Sequence, residues 1–176
     1  YPYRFAFRIR YALEGPVLQV AFQVENRSEE PLYCGMGGHP GFNVPLEEGL
    51  TFEDYELTFP EACTPRQVVF SPALQVAPER PAYPLEEGRK LPLRHELFDL
   101  DAVVLAGAPR QVTLSSPKGS HGVTVAYPQM PYVGFWHKPQ TDAPYVCIEP
   151  WSVLPGRDNL VEELSQMPDM TTVAPG

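Results

Sequence analysis

Short segments in which apolar and polar residues alternate recur along this chain. Residues 3–11 place an aromatic residue or isoleucine at every second position, and residues 17–25 alternate in a similar way. A spacing of two is the spacing of side chains on one face of a β-strand. Because residues 14–16 read Glu-Gly-Pro, which favours a turn, the pattern predicts a β-hairpin.

Further strands are predicted wherever β-branched and aromatic residues lie between glycine and proline. The predicted strands cover residues 31–34, 50–58, 68–70, 111–115, 122–127, 133–137 and 145–149, and a polar turn leads into another strand over 99–105. Residues 71–92 carry five prolines and are predicted to form an ordered but irregular surface loop. Residues 159–166 are the one helix candidate, and no repeat of fixed period occurs.

Many short strands joined by glycine and proline turns predict an all-β fold, an antiparallel β-sandwich. The 176 residues are enough for one domain with a substantial core, predicted over 1–176. Apolar residues make up 43% and charged residues 20%, which is typical of a globular protein. The 22 prolines disfavour long helices.

The charge pattern excludes several classes of partner. The formal net charge is -9 and no run of Lys or Arg occurs, so no nucleic-acid partner is expected. No apolar stretch approaches the ~18 to 20 residues of a membrane span. Cys34, Cys63 and Cys147 form no CxxC pair, so we interpret them as small apolar residues of a protein in the reducing cytoplasm.

The first candidate for chemistry is His39, which lies in a segment rich in glycine and proline. Residues 36–45 contain three glycines and two prolines, so neither a regular helix nor a central strand fits, and a sharp turn is predicted. An unperturbed histidine titrates near ~6.5 and can therefore donate or accept a proton at neutral pH. The alternative interpretation is a turn in which the imidazole bonds a backbone group.

The second candidate is Glu149, at the end of the apolar strand predicted over 145–149 and followed by Pro150 and Trp151. A carboxylate with apolar neighbours loses hydration, which favours its protonated form and makes it a stronger base. The alternative is a structural glutamate that pairs with an arginine or caps a turn. Together, His39 and Glu149 would supply an acid and a base on separate rigid supports.

Two segments carry a resemblance to a known family. Residues 37–45, GGHPGFNVP, and residues 147–151, CIEPW, resemble the two signature segments of the aldose 1-epimerases, also called galactose mutarotases. More narrowly, the chain resembles the LacX-like branch of that family. Residues 97–102, LFDLDA, and residues 135–139, FWHKP, are similar to the intervening motifs of this branch and follow in the same order.

The resemblance implies a large antiparallel β-sandwich of the galactose mutarotase type, also called a supersandwich. It implies an isomerase that interconverts the α and β anomers of a free hexose without a metal or an organic cofactor. In that mechanism Glu149 removes the proton of the anomeric hydroxyl and His39 protonates the ring oxygen.

The resemblance also implies residues that bind the sugar. Asp101 matches the hydroxyl-binding carboxylate of the family, with Asp99 as a rival. Trp136 is a candidate apolar platform, with core packing as the alternative, and Lys138 is a candidate sugar contact, with a solvated lysine as the alternative. Because no HxxxH metal spacing occurs, the other histidines are interpreted as ordinary polar residues: His95, His121 and His137.

The family's amino-terminal part, which supplies an arginine and a further histidine to the sugar site, has no counterpart in this chain. The sandwich is therefore expected to be incomplete at both ends, and we interpret the chain as a segment of a longer protein, with a naturally reduced relative as the alternative. The expected partner is a hexose, and a homodimer remains a candidate. The alternative functions are a noncatalytic carbohydrate-binding module and a purely structural β-sandwich.

Overall fold

The computed structural model describes residues 1–176 and consists almost entirely of β-strands and connections. The strands are β1 (Phe5–Glu14), β2 (Val17–Asn26), β3 (Leu32–Cys34), β4 (Gly41–Asn43), β5 (Glu56–Thr58), β6 (Arg66–Val68), β7 (Lys90–Pro92), β8 (Val103–Ala106), β9 (Gln111–Ser115), β10 (Gly122–Ala126), β11 (Tyr132–Trp136), β12 (Tyr145–Trp151) and β13 (Thr171–Val173). Three short 3₁₀ helices cover Phe52–Asp54, His95–Phe98 and Leu164–Gln166. None of the helices has the length and apolar character needed to span a bilayer.

The chain divides into two compact units. The first contains residues 1–35 and 162–176, and the second contains residues 36–161. The single domain expected over 1–176 remains a prediction.

The first unit contains two separate strand pairs. β1 and β2 form the predicted hairpin, which Gly15 helps to close with a φ of 56°. β3 pairs with β13, and the Asn26 side chain donates hydrogen bonds to the carbonyls of Glu30 and Val173, at 2.8 and 2.9 Å. Large apolar side chains of the hairpin keep 40% to 73% of their area exposed: Phe5, Phe7, Ile9, Tyr11, Leu13, Val17, Leu18 and Val20.

The second unit is an antiparallel β-sandwich. One sheet has the strand order β10-β9-β5-β7 and the other has the order β4-β12-β11-β8-β6. The core between the sheets contains Leu57 and Leu114 from the first sheet and Phe135 and Ile148 from the second, all fully buried. The predicted all-β sandwich is therefore present.

The alternation of side chains along β12 separates this core from a polar face of the same sheet. Val146 and Ile148 point into the core, whereas Cys147 and Glu149 lie at the intervening positions. Successive side chains of a strand point to opposite faces, so the carboxylate lies on the side of the sheet that does not face the sandwich core. A polar group is thereby placed at the end of an apolar strand without entering that core.

Two predicted elements were wrong. In place of a strand over 50–58, a 3₁₀ helix at Phe52–Asp54 precedes the short β5. The Asp54 carboxylate accepts hydrogen bonds at 2.9 Å from the backbone N–H and the hydroxyl of Thr51, and such local bonds compete with strand pairing. The helix predicted over 159–166 is reduced to a 3₁₀ turn at Leu164–Gln166, because a helix this short is not stable without a packed apolar face.

The loop predicted over 71–92 is irregular over most of its length but ends in β7. Within it, Val76 is buried and forms isolated bridges with Phe70 and Arg157. The strand predicted at 68–70 is formed two residues earlier, as β6. The buried Val76 side chain packs with Val68 and Val104 of the five-stranded sheet and thus anchors the proline-rich loop there.

Candidate active site

His39 lies in an extended segment at the edge of the five-stranded sheet, and the sharp turn predicted over 36–45 is absent at His39, since the chain bends only at residues 44–47. Residues 36–40 run antiparallel to the second half of β12. The Gly38 N–H donates to the Pro150 carbonyl at 3.0 Å, and the Ile148 N–H donates to the Pro40 carbonyl at 3.1 Å. Pro40 and Pro150 have no N–H, so each of these two pairs makes one hydrogen bond where an antiparallel pair usually makes two. Pro40 lies in the edge segment, where proline is tolerated, whereas Pro150 lies in the interior strand β12.

The register of this pairing brings the two candidate residues together. The bridge between Gly37 and Trp151 continues the register in which β4 pairs with β12, and it places His39 directly opposite Glu149. The two hydrogen bonds are made by the neighbouring pairs, Gly38 with Pro150 and Pro40 with Ile148. His39 and Glu149 therefore form a non-hydrogen-bonded pair. In such pairs the side chains approach each other most closely.

The imidazole and the carboxylate are in contact. His39 Nε2 lies 3.3 Å from Glu149 Oε1, with 61% of the His39 side chain exposed and only 6% of the Glu149 side chain exposed. Oε1 is buried and has no hydrogen-bond partner, so the 3.3 Å contact is electrostatic. The carboxylate also accepts a hydrogen bond from the Trp151 side chain.

Burial raises the pKa of Glu149 above its ordinary value, and the nearby charge of Asp101 raises it further. The charge of His39 and the Trp151 hydrogen bond act in the opposite direction, but the pKa remains raised. This is the direction expected from the apolar neighbours of Glu149 in the sequence. A carboxylate with a raised pKa holds a proton more strongly and is a better general base at neutral pH.

His39 and Glu149 line a cavity of about 320 Å³, within the range of small-molecule sites. Its other lining residues are Phe70, Leu74, Asp101, Ala102, Trp136, Trp151 and Pro155. Four of the five candidate residues named from the sequence therefore meet at one cavity: His39, Asp101, Trp136 and Glu149. The cavity combines two carboxylates and an imidazole with aromatic walls.

Asp101 lines the cavity and its rival Asp99 does not. Asp101 has a φ of 93°, in the left-handed region that few residues other than glycine adopt, and its Oδ1 accepts the Ala102 N–H at 2.9 Å. Asp99 is exposed and ends the 3₁₀ helix His95–Phe98. Asp99 and Asp101 are only two residues apart in the sequence, so their spacing does not distinguish them. The backbone conformation at Asp101 does, because only its carboxylate reaches the cavity.

Trp136 is half-buried and belongs to the cavity wall. Its ring meets the His39 ring edge to face at 5.6 Å, and it lies 6.2 Å from the Tyr145 ring. The core-packing alternative therefore does not describe this side chain. Lys138, two residues further on, is exposed, does not line the cavity, and donates its backbone N–H to the Tyr145 hydroxyl at 3.2 Å.

Gly134 of β11 lies beside Glu149 and was not singled out in the sequence. It pairs with Glu149 on one side and with Val104 on the other. A Cβ at this position would lie 3.5 Å from both Glu149 Cβ and Trp151 Cζ2. These are ordinary contact distances, so a small side chain at this position would fit without displacing Glu149. The aromatic wall residues Phe70 and Trp151 were also missed.

Cys147 lies on the same face of β12 as Glu149. Its sulfur, a His39 ring nitrogen and a Glu149 oxygen all lie within 4.8 Å of one another. Burial, together with the negative charge of Glu149, raises the pKa of the Cys147 thiol to about 11. Cys34 is also buried and Cys63 is partly buried, and all three cysteines are free.

A second pair of polar rings joins His95, the first residue of the 3₁₀ helix His95–Phe98, to His137, which follows β11. His95 Nδ1 is 3.0 Å from His137 Nε2, and His137 Nδ1 is 2.9 Å from the Lys138 carbonyl. Since Nδ1 of His137 must donate to a carbonyl, its Nε2 accepts and His95 donates. His137 is fully buried, and burial lowers its pKa. This pair is structural, in line with the interpretation of both residues as ordinary polar ones.

Sequence comparison places the chain in a family. The family model for Aldose 1-epimerase matches residues 1–176 of this chain. The chain belongs to the aldose 1-epimerase family. It is 34% identical over 183 residues to the chromosomal LacX protein of Lactococcus lactis subsp. lactis, an alignment that covers 99% of this chain and 59% of that protein.

Solved structures of the family have the same fold. A galactose mutarotase related enzyme from Lactobacillus acidophilus has a TM-score of 0.91 and 31% identity, covering 100% of this chain and 59% of that one. A galactose mutarotase-like protein from Lactobacillus casei ATCC 334 has a TM-score of 0.88 and 28% identity, covering 99% and 60% of the two chains. The resemblance and the galactose mutarotase-type sandwich are thus confirmed. The chain spans about 59% of the LacX relative.

Proposed function

We propose that the protein is an aldose 1-epimerase that interconverts the α and β anomers of a free hexose by acid and base catalysis. Membership of the family supports the reaction class. The observation that carries the proposal is the 3.3 Å approach of His39 Nε2 to Glu149 Oε1 at the wall of a cavity. The two residues come from strand segments 110 positions apart in the sequence.

The proposed reaction moves two protons and breaks one bond. Glu149 accepts the proton of the anomeric hydroxyl, the C1–O1 bond becomes a carbonyl, the C1–O5 bond breaks, and O5 takes a proton from His39. Rotation about the C1–C2 bond presents the other face of the aldehyde. O5 then returns its proton to His39 and attacks C1, and O1 recovers a proton from Glu149, which restores both side chains.

The spacing of the two groups suits this chemistry. The oxygens O1 and O5 are bonded to the same carbon, so an acid and a base that serve them must themselves lie close together. A raised Glu149 pKa strengthens the base, and an imidazole can carry the other proton near neutral pH. The reaction is a redox-neutral isomerisation whose protons come from side chains, so the proposal includes no cofactor.

The cavity lining favours a neutral sugar. Asp101 is proposed to accept a hydrogen bond from a sugar hydroxyl, and Trp136 to pack against the apolar C–H face of the ring. The lining contains two carboxylates and no lysine or arginine, which favours a free hexose over an anionic sugar phosphate. Lys138 as a sugar contact, the cytoplasmic location and a homodimer remain predictions.

Polarimetry of freshly dissolved α-D-glucose and α-D-galactose tests the proposal. We expect the protein to accelerate equilibration, and Glu149→Gln and His39→Gln each to lower the rate at least ~100-fold, the usual contribution of a general acid or base. His121 and Glu47 provide a matched control, because they form another histidine–glutamate contact of 3.3 Å, with His121 largely exposed. His121→Gln should leave the rate unchanged.

The alternatives are separate outcomes of the same experiment. If a hexose raises the melting temperature saturably but equilibrates no faster than in buffer, the protein is a carbohydrate-binding module. If the hexose neither raises the melting temperature nor equilibrates faster than in buffer, the protein is a purely structural β-sandwich. Catalysis should also depend on pH through a bell-shaped profile, and an unchanged profile in His39→Gln would contradict the role of His39 as the acid.

A further inference from the structure

The side chains of His39, Cys147 and Glu149 offer one donor atom each, and the three atoms lie within 4.8 Å of one another. We propose that these three residues form a binding site for a divalent cation that prefers sulfur and nitrogen ligands, of the Zn²⁺ class, and that the bound ion blocks the cavity. The binding step does not depend on the proposed reaction. The blocking step rests on the proposed function, because it assumes that sugar uses the same two side chains.

The sheet holds the three donors on one face. Cys147 and Glu149 are two residues apart in β12 and therefore point to the same side, and His39 lies opposite Glu149 in the neighbouring segment. Gly41 pairs with Cys147 and has no side chain, so this residue leaves the sulfur uncovered; a Cβ there would contact the sulfur at 3.6 Å. Two of the ligands are fixed by a paired strand, while the exposed imidazole can adjust.

An unpartnered buried oxygen points to a ligand. Glu149 Oε1 is buried, has no hydrogen-bond partner, and faces His39 Nε2 at 3.3 Å. Buried oxygens without partners are rare and costly, so one at a cavity wall suggests that something else binds it. Two ligands at ~2.0 to 2.1 Å from a tetrahedral Zn²⁺ lie ~3.3 to 3.4 Å apart, which agrees with the observed separation.

The donor set selects the type of ion. A thiolate and an imidazole suit Zn²⁺, Co²⁺ and Cd²⁺, whereas Mg²⁺ and Ca²⁺ prefer oxygen ligands alone. On binding, the Cys147 thiol releases its proton, and the sulfur electron pair forms the bond to the metal. Three protein ligands leave one tetrahedral position for water. The ion would occupy the lone pairs of both the proposed acid and the proposed base, so metal and sugar should compete.

Cobalt spectroscopy tests the site without relying on activity. Protein freed of metal with a chelator is titrated with Co²⁺, and we expect a thiolate-to-cobalt charge-transfer band that saturates at one ion per chain. Calorimetry with Zn²⁺ should give the same stoichiometry. Cys147→Ser should abolish the band and weaken Zn²⁺ binding at least ~10-fold. Cys63→Ser is the matched control, since Cys63 lies outside the three-residue site, and it should retain both signals.

Glu149→Gln provides a second variant that keeps the shape of the site. It should retain the charge-transfer band, because the sulfur remains, but bind Zn²⁺ more weakly. The inference is overturned if the wild-type protein shows no band, or if the band persists in Cys147→Ser. If metal binds through the three residues but no sugar is equilibrated, the proposed function fails and the metal site stands. If sugar is equilibrated and saturating Zn²⁺ leaves the rate unchanged, the blocking step is wrong.

Discussion

Glu149 is a buried carboxylate whose Oε1 has no hydrogen-bond partner. Its pKa in the folded protein is raised above the ordinary 4.5, chiefly by burial. As pH rises above ~4.5, the unfolded chain loses this proton before the folded protein does, so the carboxyl lowers the free energy of unfolding progressively. The penalty is complete once pH exceeds the folded-state pKa.

Glu149→Gln should therefore increase the stability of the protein while lowering its catalytic rate. We expect the free energy of unfolding at pH 8 to rise by about 1 to 3 kcal/mol, the cost of an unsatisfied buried group. The gain should shrink as pH falls to 4, because the protonated Glu149 carboxyl of the wild type is then as uncharged as the glutamine of the variant. Urea unfolding at the two pH values measures this. Glu47 serves as the control, because hydrogen bonds led by that from the His121 backbone lower its pKa, so Glu47→Gln should give no gain at pH 8.

Asp101 and Asp99 are distinguished by a test on sugar affinity. Asp101→Asn keeps a residue type that tolerates positive φ but removes the charge, so the fold should persist and KM for hexose should rise about 10-fold or more. Asp99→Asn should leave KM unchanged, because Asp99 is exposed and outside the cavity lining. Initial rates over a range of sugar concentrations decide between them, and an equal effect of both variants would refute the assignment.

At the scale of elements, the segment 36–40 and the second half of β12 form the frame of the site. Gly37 is the tightest point of this frame. A Cβ there would meet Trp151 Cδ1 at 3.0 Å and the Pro150 carbonyl at 3.1 Å. Trp151 donates the hydrogen bond that Glu149 accepts, so a shift of the indole ring would move the carboxylate as well.

Gly37→Ala and Gly38→Ala form a matched pair. A Cβ at Gly38 would lie 3.6 and 3.8 Å from the nearest atoms of Pro40 and Pro150, ordinary contact distances. We expect Gly37→Ala to destabilise the protein by about 1 to 3 kcal/mol through overpacking and to lower the rate, and Gly38→Ala to change little. Thermal unfolding and polarimetry measure both, and equal effects would show that the Trp151 contact is not the cause.

On the scale of the whole molecule, the buried imidazole of His137, which contacts the partly buried His95, should shape the dependence of stability on pH. Burial lowers the pKa of His137 below the ordinary 6.5, and the charge of His95 acts in the same direction. The Lys138 carbonyl and the carboxylates of Asp99 and Asp142 oppose this shift. As pH falls through ~6.5, the unfolded chain binds a proton that the folded protein does not, so stability is lost.

Replacing the buried imidazole should flatten this loss. In His137→Asn the slope of unfolding free energy against pH between 7 and 5 should be smaller than in the wild type, because the titrating group is gone. His121→Asn removes an exposed histidine and is the control. Urea unfolding at several pH values provides the slopes. A steeper slope in His137→Asn would contradict a lowered pKa at His137.

Local patterns in the sequence account for much of the fold. The alternation over residues 3–11 and 17–25 identifies β1 and β2 because side-chain direction in a strand repeats every two residues. Such patterns fail where non-local pairing decides the outcome. β4, β7 and β13 have only three residues each and were missed, since their apolar signal is too short without the partner strand.

By itself, the sequence determined the residue types and the face of β12 on which Glu149 lies, because period-two geometry is local. The glycines and prolines around His39 predicted an irregular segment, but its path along β12 depends on hydrogen bonds to a strand about 110 residues away. Only the tertiary structure decided that register, and with it the 3.3 Å contact of His39 with Glu149 and the approach of the Cys147 sulfur to within 4.8 Å of both. It also decided that Asp101, and not Asp99, lines the cavity. In a hairpin the turn fixes the register, but the segments that carry His39 and Glu149 are 110 residues apart and no turn joins them.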